Sequence, residues 1–258
     1  MIADPVADAL YESDIGQKIE RVNQLQAADA LAVIEPLRSV VIPGRPDRPL
    51  LVAPGQVSKR RLGSVEGRAA LVHAVAHIEF NAINLALDAM YRFRAMPHDY
   101  YVDWLSVARD EARHFEMLSQ RLADMGYSYG AFPAHNGLWQ AAIETAHDPL
   151  VRMALVPRVL EARGLDVTPG MIQKLDATKD QQTADILRVI LEEEVRHVQI
   201  GTRWFHYLCE QRGLDPDPTF LHLYREYMPG RRDRSLNLDA RSKAGFSEGE
   251  LLGLQQSV

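Results

Sequence analysis

The chain contains a single cysteine, Cys209, in 258 residues. Without a second thiol, a disulfide framework within the chain, a cysteine zinc site and a thiolate-ligated iron–sulfur cluster are all excluded, and a reducing cytoplasm is the expected location. Long apolar runs are also missing. Nowhere do 18 apolar residues follow one another, and the first residues, M-I-A-D-P-V-A-D-A-L, bring acids early instead of a basic stretch followed by an apolar one. Neither a membrane span nor an export signal is expected. Positive charge is in short supply as well. The formal net charge of −6 gives no general attraction to phosphate backbones, so nucleic acid is not an expected partner. Two short basic clusters, Lys59-Arg60-Arg61 and Arg231-Arg232-Asp233-Arg234, are read as solvated faces.

Proline and glycine are scarce in four stretches, and those stretches have apolar residues at helical spacing. The first spans residues 65–91. A break at Met96-Pro97 precedes a second, at 99–125, which ends on Gly126 as a C-terminal cap would. After a loop and a short helical piece running up to Asp148, a third helix opens with Asp148 as cap and Pro149 in its first turn, and stops near Gly164. Pro157 inside it predicts a kink or local widening one turn before Glu161. Thr168-Pro169-Gly170 is read as a turn. The fourth helix spans 180–211 and ends at Gly213.

Residues 1–62 are expected to hold one or two helices up to about Leu37, then a proline-rich extended arm. Residues 63–213 form the helical bundle, and 214–258 add one helix near 217–228 and a tail. Arm and tail are expected to wrap the bundle, and no sheet is expected. The fold class is therefore all-α.

The chemistry lies in a repeated pattern. Residues 110–114 read D-E-A-R-H and residues 193–197 read E-E-V-R-H. On a helix, Glu111 and His114 share the apolar face of Trp104, Val107 and Leu118, and Glu194 and His197 share that of Leu187, Ile190 and Trp204. A lone Glu precedes each pair on an inward face. Glu79 lies 32 residues before Glu111, and Glu161 lies 33 before Glu194. Two helices with one Glu each, and two with Glu-x-x-His, is the arrangement of dinuclear iron or manganese carboxylate sites.

Two carboxylates about 4 Å apart repel by roughly 4 kcal/mol at an effective dielectric near 20, so four buried ones call for cations. Two divalent ions balance four carboxylates, and six protein ligands leave positions open for dioxygen, peroxide or water. Asp110 and Glu193, beside the pairs, are candidates to orient a ligand histidine through its outer nitrogen, with Arg113 and Arg196 balancing their charge.

Glu-x-x-His alone is a weak signal. Glu144-Thr145-Ala146-His147 matches it too, but abuts a helix end and lacks the flanking acid and Arg, so it is read as coincidence. His73 and His77 are spaced like a zinc pair. His77, close to Glu79 in the same helix, is read as a supporting or entrance residue. Gly201, one turn after His197, either opens a pocket or permits close helix packing.

The stretches A-H-I-E-F-N-A-I-N-L-A, A-R-D-E-A-R-H-F, F-P-A-H-N-G-L-W, A-L-V-P-R-V-L-E-A-R-G-L-D-V-T-P-G and E-E-E-V-R-H-V-Q-I-G resemble the ferritin-like superfamily, and within it a bacterial family of uncharacterised ferritin-like proteins. A more distant likeness is to tRNA-modifying di-iron hydroxylases. The resemblance implies a ferritin-like four-helix bundle with metal ligands at Glu79, Glu111, His114, Glu161, Glu194 and His197. The expected cofactor is a pair of iron ions, with manganese or a mixed pair as alternatives. The expected function is oxygen activation by an oxidoreductase, a monooxygenase or hydroxylase, with a small-molecule substrate and an external electron donor. Ferroxidase, peroxidase or manganese catalase chemistry, and a non-enzymatic metal-stabilised scaffold, are the competing expectations. A homodimer is compatible with this reading.

Overall fold

Ser64 begins the long helical part of the chain by accepting the Gly67 N–H with its hydroxyl, so that α3 starts there and runs Val65–Arg92. The structure is a computed structural model that describes residues 4–31, 39–57, 61–230 and 235–256. The cluster at 231–234, Lys59, Arg60 and the segment towards Leu37 lie outside the described residues. Among the described residues no β-strand is present, and the architecture is all-α. The chain divides into two compact units, Met1–Ile143 and Glu144–Val258.

In the first unit α1 (Pro5–Tyr11) and α2 (Ile15–Gln24) precede the arm, and α3 pairs with α4 (His98–Asp124) across a five-residue connection. Such a short link makes neighbouring helices antiparallel. Gly126, at φ 79°, ends the second helix of the hairpin in the left-handed conformation its sequence suggested. By composition an 18-residue window of α3 could cross a membrane, but 78% of that window is buried inside the protein, the placement of a core helix. The arm has no helix over 39–53 and bends at 41, 42, 47 and 49. It pairs with 134 through Val52 N–H to Ala134 O at 2.8 Å and Ala134 N–H to Leu50 O at 3.0 Å. α5 (Gly137–Glu144) pins it from one side, the Trp139 indole N–H donating to Val41 O at 2.9 Å. Arg92 pins it from another by donating to Val40 O at 3.2 Å.

In the second unit Asp148 caps α6 (Pro149–Leu155), a wide π-helical turn follows at Val156–Glu161, and α7 (Ala162–Ala177) continues the same rod. α8 (Gln181–Arg212) packs along all three. The widening expected at Pro157 is present. The expected stop at Gly164 and turn at Thr168-Pro169-Gly170 are not: α7 passes through both. Proline in a helix removes one N–H and leaves the carbonyl four residues back without its usual donor. Here that carbonyl is Leu165 O, and the Asn237 side chain donates to it at 3.1 Å. A residue 72 positions away thus supplies the missing bond.

Asn237 also caps α10 (Leu238–Lys243) by accepting the Ala240 N–H. Arg241 then forks onto Asp166 at 2.7 and 3.0 Å. The expected tail is therefore partly helical, with α10 followed by α11 (Glu248–Gln256), which packs on α9 (Pro216–Tyr227).

Candidate metal centre

Glu79 of α3 and Glu111 and His114 of α4 meet inside the first hairpin. They are 2%, 1% and 0% exposed. His114 Nδ1 lies 3.2 Å from Glu79 Oε2 and 3.4 Å from Glu111 Oε2. One donor atom from each of the three falls within 4.8 Å of the others, a spacing that can hold a metal ion. The electrostatics report the strain of this arrangement. Burial, reinforced by the Glu111 charge, pushes the Glu79 carboxyl up to about 8. Burial alone would lower His114, but the Glu111 and Glu79 carboxylates bond to it and attract its charged form, raising it to about 11.

Two carboxylates therefore converge on one imidazole nitrogen, and a cation of some kind is what reconciles them. A proton on Nδ1 does so partially; a divalent ion bound by all three donors cancels both charges. The donor chemistry, two carboxylates and an imidazole, is that of a divalent metal site. The residues fit a metal.

In the second unit the matching residues occupy the wide turn and α8. His197 is fully buried, with Nδ1 3.8 Å from Glu194 Oε2, and Glu194 and Glu161 are half-buried. Glu161 closes the wide turn, which packs on α8. What sets that turn is a notch. A Cβ on Gly201 would come within 2.4 Å of Cβ and Cγ of Pro157, so only glycine lets the proline ring seat there, one turn beyond His197. Of the two roles the sequence allowed Gly201, close packing is the one the geometry displays.

The neighbouring residues are placed as follows. Asp110 is half-buried and accepts from Arg113 Nη2 at 3.1 Å; Glu193 is half-buried on α8. For His77, the Tyr129 hydroxyl bonds its Nδ1 at 2.8 Å, and its Nε2 faces His135 O at 3.1 Å. His73 Nε2 accepts the Gly130 N–H at 2.9 Å. Burial lowers both imidazoles to about 4, so they stay neutral, and their bonds tie α3 to the 129–135 loop. His147 is exposed and turns Nδ1 to the Glu144 backbone carbonyl at 3.1 Å, at the helix end.

One feature of the second unit escaped sequence reasoning. Arg158, inside the wide turn, is completely buried and bonds Glu250 Oε2 at 2.6 Å. A charged residue on a helix gives no local signal of such burial.

Comparison with known proteins gives three findings. The profile of a family described as "Protein of unknown function (DUF455)" matches residues 11–252. A relative from Haemophilus influenzae (strain ATCC 51907 / DSM 11121 / KW20 / Rd), described as "Uncharacterized protein", is 49% identical over 213 residues, covering 80% of this chain and 74% of the relative. No solved structure matches.

Proposed function

Since the chain belongs to the DUF455 family, whose description assigns no activity, we propose from its residues that it is a dinuclear metal carboxylate protein that activates dioxygen, an oxidoreductase of the monooxygenase or hydroxylase kind acting on a small molecule. The single observation that carries the reading is the dry meeting of Glu79, Glu111 and His114. A divalent ion accounts for two carboxylates in one buried cluster better than any other partner in reach. The nearly equal spacing of Glu161, Glu194 and His197, 33 residues against 32, supplies a second set of the same composition. Together they would hold two ions, iron first, with manganese or a mixed pair as alternatives.

When bound, such ions supply Lewis acidity and one-electron redox steps at open coordination positions. The chain's own residues do the rest. Glu79 and Glu111 provide the negative charge that retains a cation in an interior poor in water. His114 and His197, fully buried, each present a nitrogen that must be deprotonated to bind, so a metal and a proton compete for it. Asp110 and Glu193 are assigned to steady ligand histidines, with Arg113 offsetting the charge of Asp110. Cys209 alone cannot form a redox pair, so electrons come from an external donor.

The test is to load the apoprotein anaerobically with Fe(II), admit dioxygen, and follow gas consumption with and without a chemical reductant and, separately, with peroxide. Reductant-dependent uptake of dioxygen by a protein inert to peroxide supports the proposal. Rapid loss of peroxide without reductant would assign the site to peroxide or iron handling. A chain that retains no metal would overturn both.

A further inference from the structure

Arg158 is the most unusual side chain in the second unit. Its guanidinium is 0% exposed and is ringed by Phe205, Phe220 and Phe246, with centroids 4.6, 4.2 and 4.5 Å from its central carbon. Nη2 donates to Glu250 Oε2 at 2.6 Å and Nε to Thr202 Oγ1 at 3.2 Å. Glu250 is also 0% exposed. Its carboxylate does a second job in α11, accepting the Ser247 N–H at 3.0 Å while Ser247 Oγ accepts the Glu250 N–H, a reciprocal cap. One carboxylate thus fixes the start of the C-terminal helix and neutralises a cation in the wide turn.

The location gives this pair its meaning. Arg158 lies three residues before Glu161, in a turn that departs from α-helical geometry throughout Val156–Glu161. Turns of this kind are uncommon and hold only where surrounding contacts determine them. Two contacts do so here, and both reach α8 beyond His197: Pro157 in the Gly201 notch, and Arg158 on Thr202. Glu250 holds Arg158 in register. A buried ion pair is a poor source of stability compared with apolar side chains of similar size, so its use here points to a geometric role.

We propose that Arg158 and Glu250 are positioning residues for Glu161, the C-terminal helix acting as a clamp that sets the wide turn and so the aim of that carboxylate. The inference rests on the metal-binding reading above. Without the clamp the turn relaxes towards regular helix, and the direction of the Glu161 side chain at its end changes with it.

The experiment compares the full chain with the double variant Arg158→Met/Glu250→Leu, which replaces the ion pair by apolar groups, and with Glu250→Gln, which removes only the charge. Apoprotein is titrated with Co(II), read by its d–d absorption, and amide hydrogen exchange over residues 156–161 is measured without metal. Both variants keep a cooperative melting transition. In the double variant one of two Co(II) ions binds about 10- to 100-fold more weakly, as expected when an outer partner of a ligand is lost, with an altered absorption envelope. Exchange in the wide turn speeds up at least in proportion. Glu250→Gln shows the same changes at smaller size.

Folded variants that bind both ions like the parent, with unchanged exchange, would overturn the proposal and leave the pair a packing element. A parent that binds no Co(II) would sink the metal reading instead, and the exchange result would still decide whether the clamp sets the turn. If the double variant fails to melt cooperatively, Glu250→Gln alone decides the matter.

Discussion

The two units carry a set of Glu, Glu and His at nearly the same spacing, but they build around it in opposite ways. In the first, α3 and α4 are regular from end to end, and the positions one turn before Glu79 and one turn after His114 hold the apolar residues Val75 and Leu118. In the second, those positions are Pro157 and Gly201. The helix bearing Glu161 is widened, and its Pro157 ring occupies the space that a side chain at 201 would need, whereas Leu118 is itself buried in the first unit. A repeat in ligands need not be a repeat in packing. Filling comes from a side chain in one hairpin and from backbone shape in the other.

The terminal helices show a second contrast. Each unit ties them to its core through a buried cation. In the first unit Lys18 of α2 donates to Ala9 O, Leu10 O and Asn84 Oδ1 at 2.8, 3.0 and 2.9 Å, all neutral acceptors. In the second, Arg158 meets a carboxylate. Burial lowers Lys18 to about 7, whereas arginine keeps its charge throughout the working range. One clamp should respond to pH and the other should not.

Breaking the charged clamp on one side only has the largest effect. Arg158→Met leaves Glu250 buried and unpaired, and should cost about 3–5 kcal/mol in denaturant unfolding. Leu118→Ala opens a void in the regular hairpin and should cost about 2–5 kcal/mol by the same measurement. Gly201→Ala tests the opposite demand, because the added carbon meets Pro157; overpacking should cost about 1–3 kcal/mol and weaken metal binding with it. If alanine were as harmless at 201 as on an exposed helix face, the contrast between the hairpins would collapse. Asn237→Ala removes the donor to Leu165 O and the α10 cap, for about 1–3 kcal/mol, visible as a lower melting temperature.

The pH experiment separates the clamps. Lys18 has a folded pKa of about 7 against the ordinary 10.5 of a lysine in water, so between those values the unfolded chain holds a proton that the folded chain has lost. Its contribution therefore makes stability rise with pH across that window, by at most about 1.4 kcal/mol per unit, and the burial penalty is fully present below 7. Lys18→Met should flatten that rise in urea titrations between about pH 7 and 10. Glu250→Gln should leave it untouched.

The long helices could be read from the sequence because apolar residues recur at helical spacing and two of them stop at glycines, 126 and 213, that the structure finds left-handed. The ligand candidates stood out because acids and histidines interrupt apolar stripes. Failures came where distant residues decide. Gly164 and Pro169 signal an end to a helix, and the donor that replaces the bond lost at Pro169 comes from Asn237, far along the chain. α10 and α11 are too short for periodicity, although the Ser247-to-Glu250 spacing is that of a capping box. Arg158 gave no sign of burial, since three phenylalanines and a glutamate from other helices and loops create it.

The most direct measurement of the central claim is the metal content of the chain reconstituted anaerobically with Fe(II), desalted, and compared with Glu111→Ala prepared in parallel. The account predicts about two ions per parent chain and a clear loss in the variant, with helical content unchanged by circular dichroism. A parent that retains no ion, or a folded Glu111→Ala that retains the full complement, would contradict it.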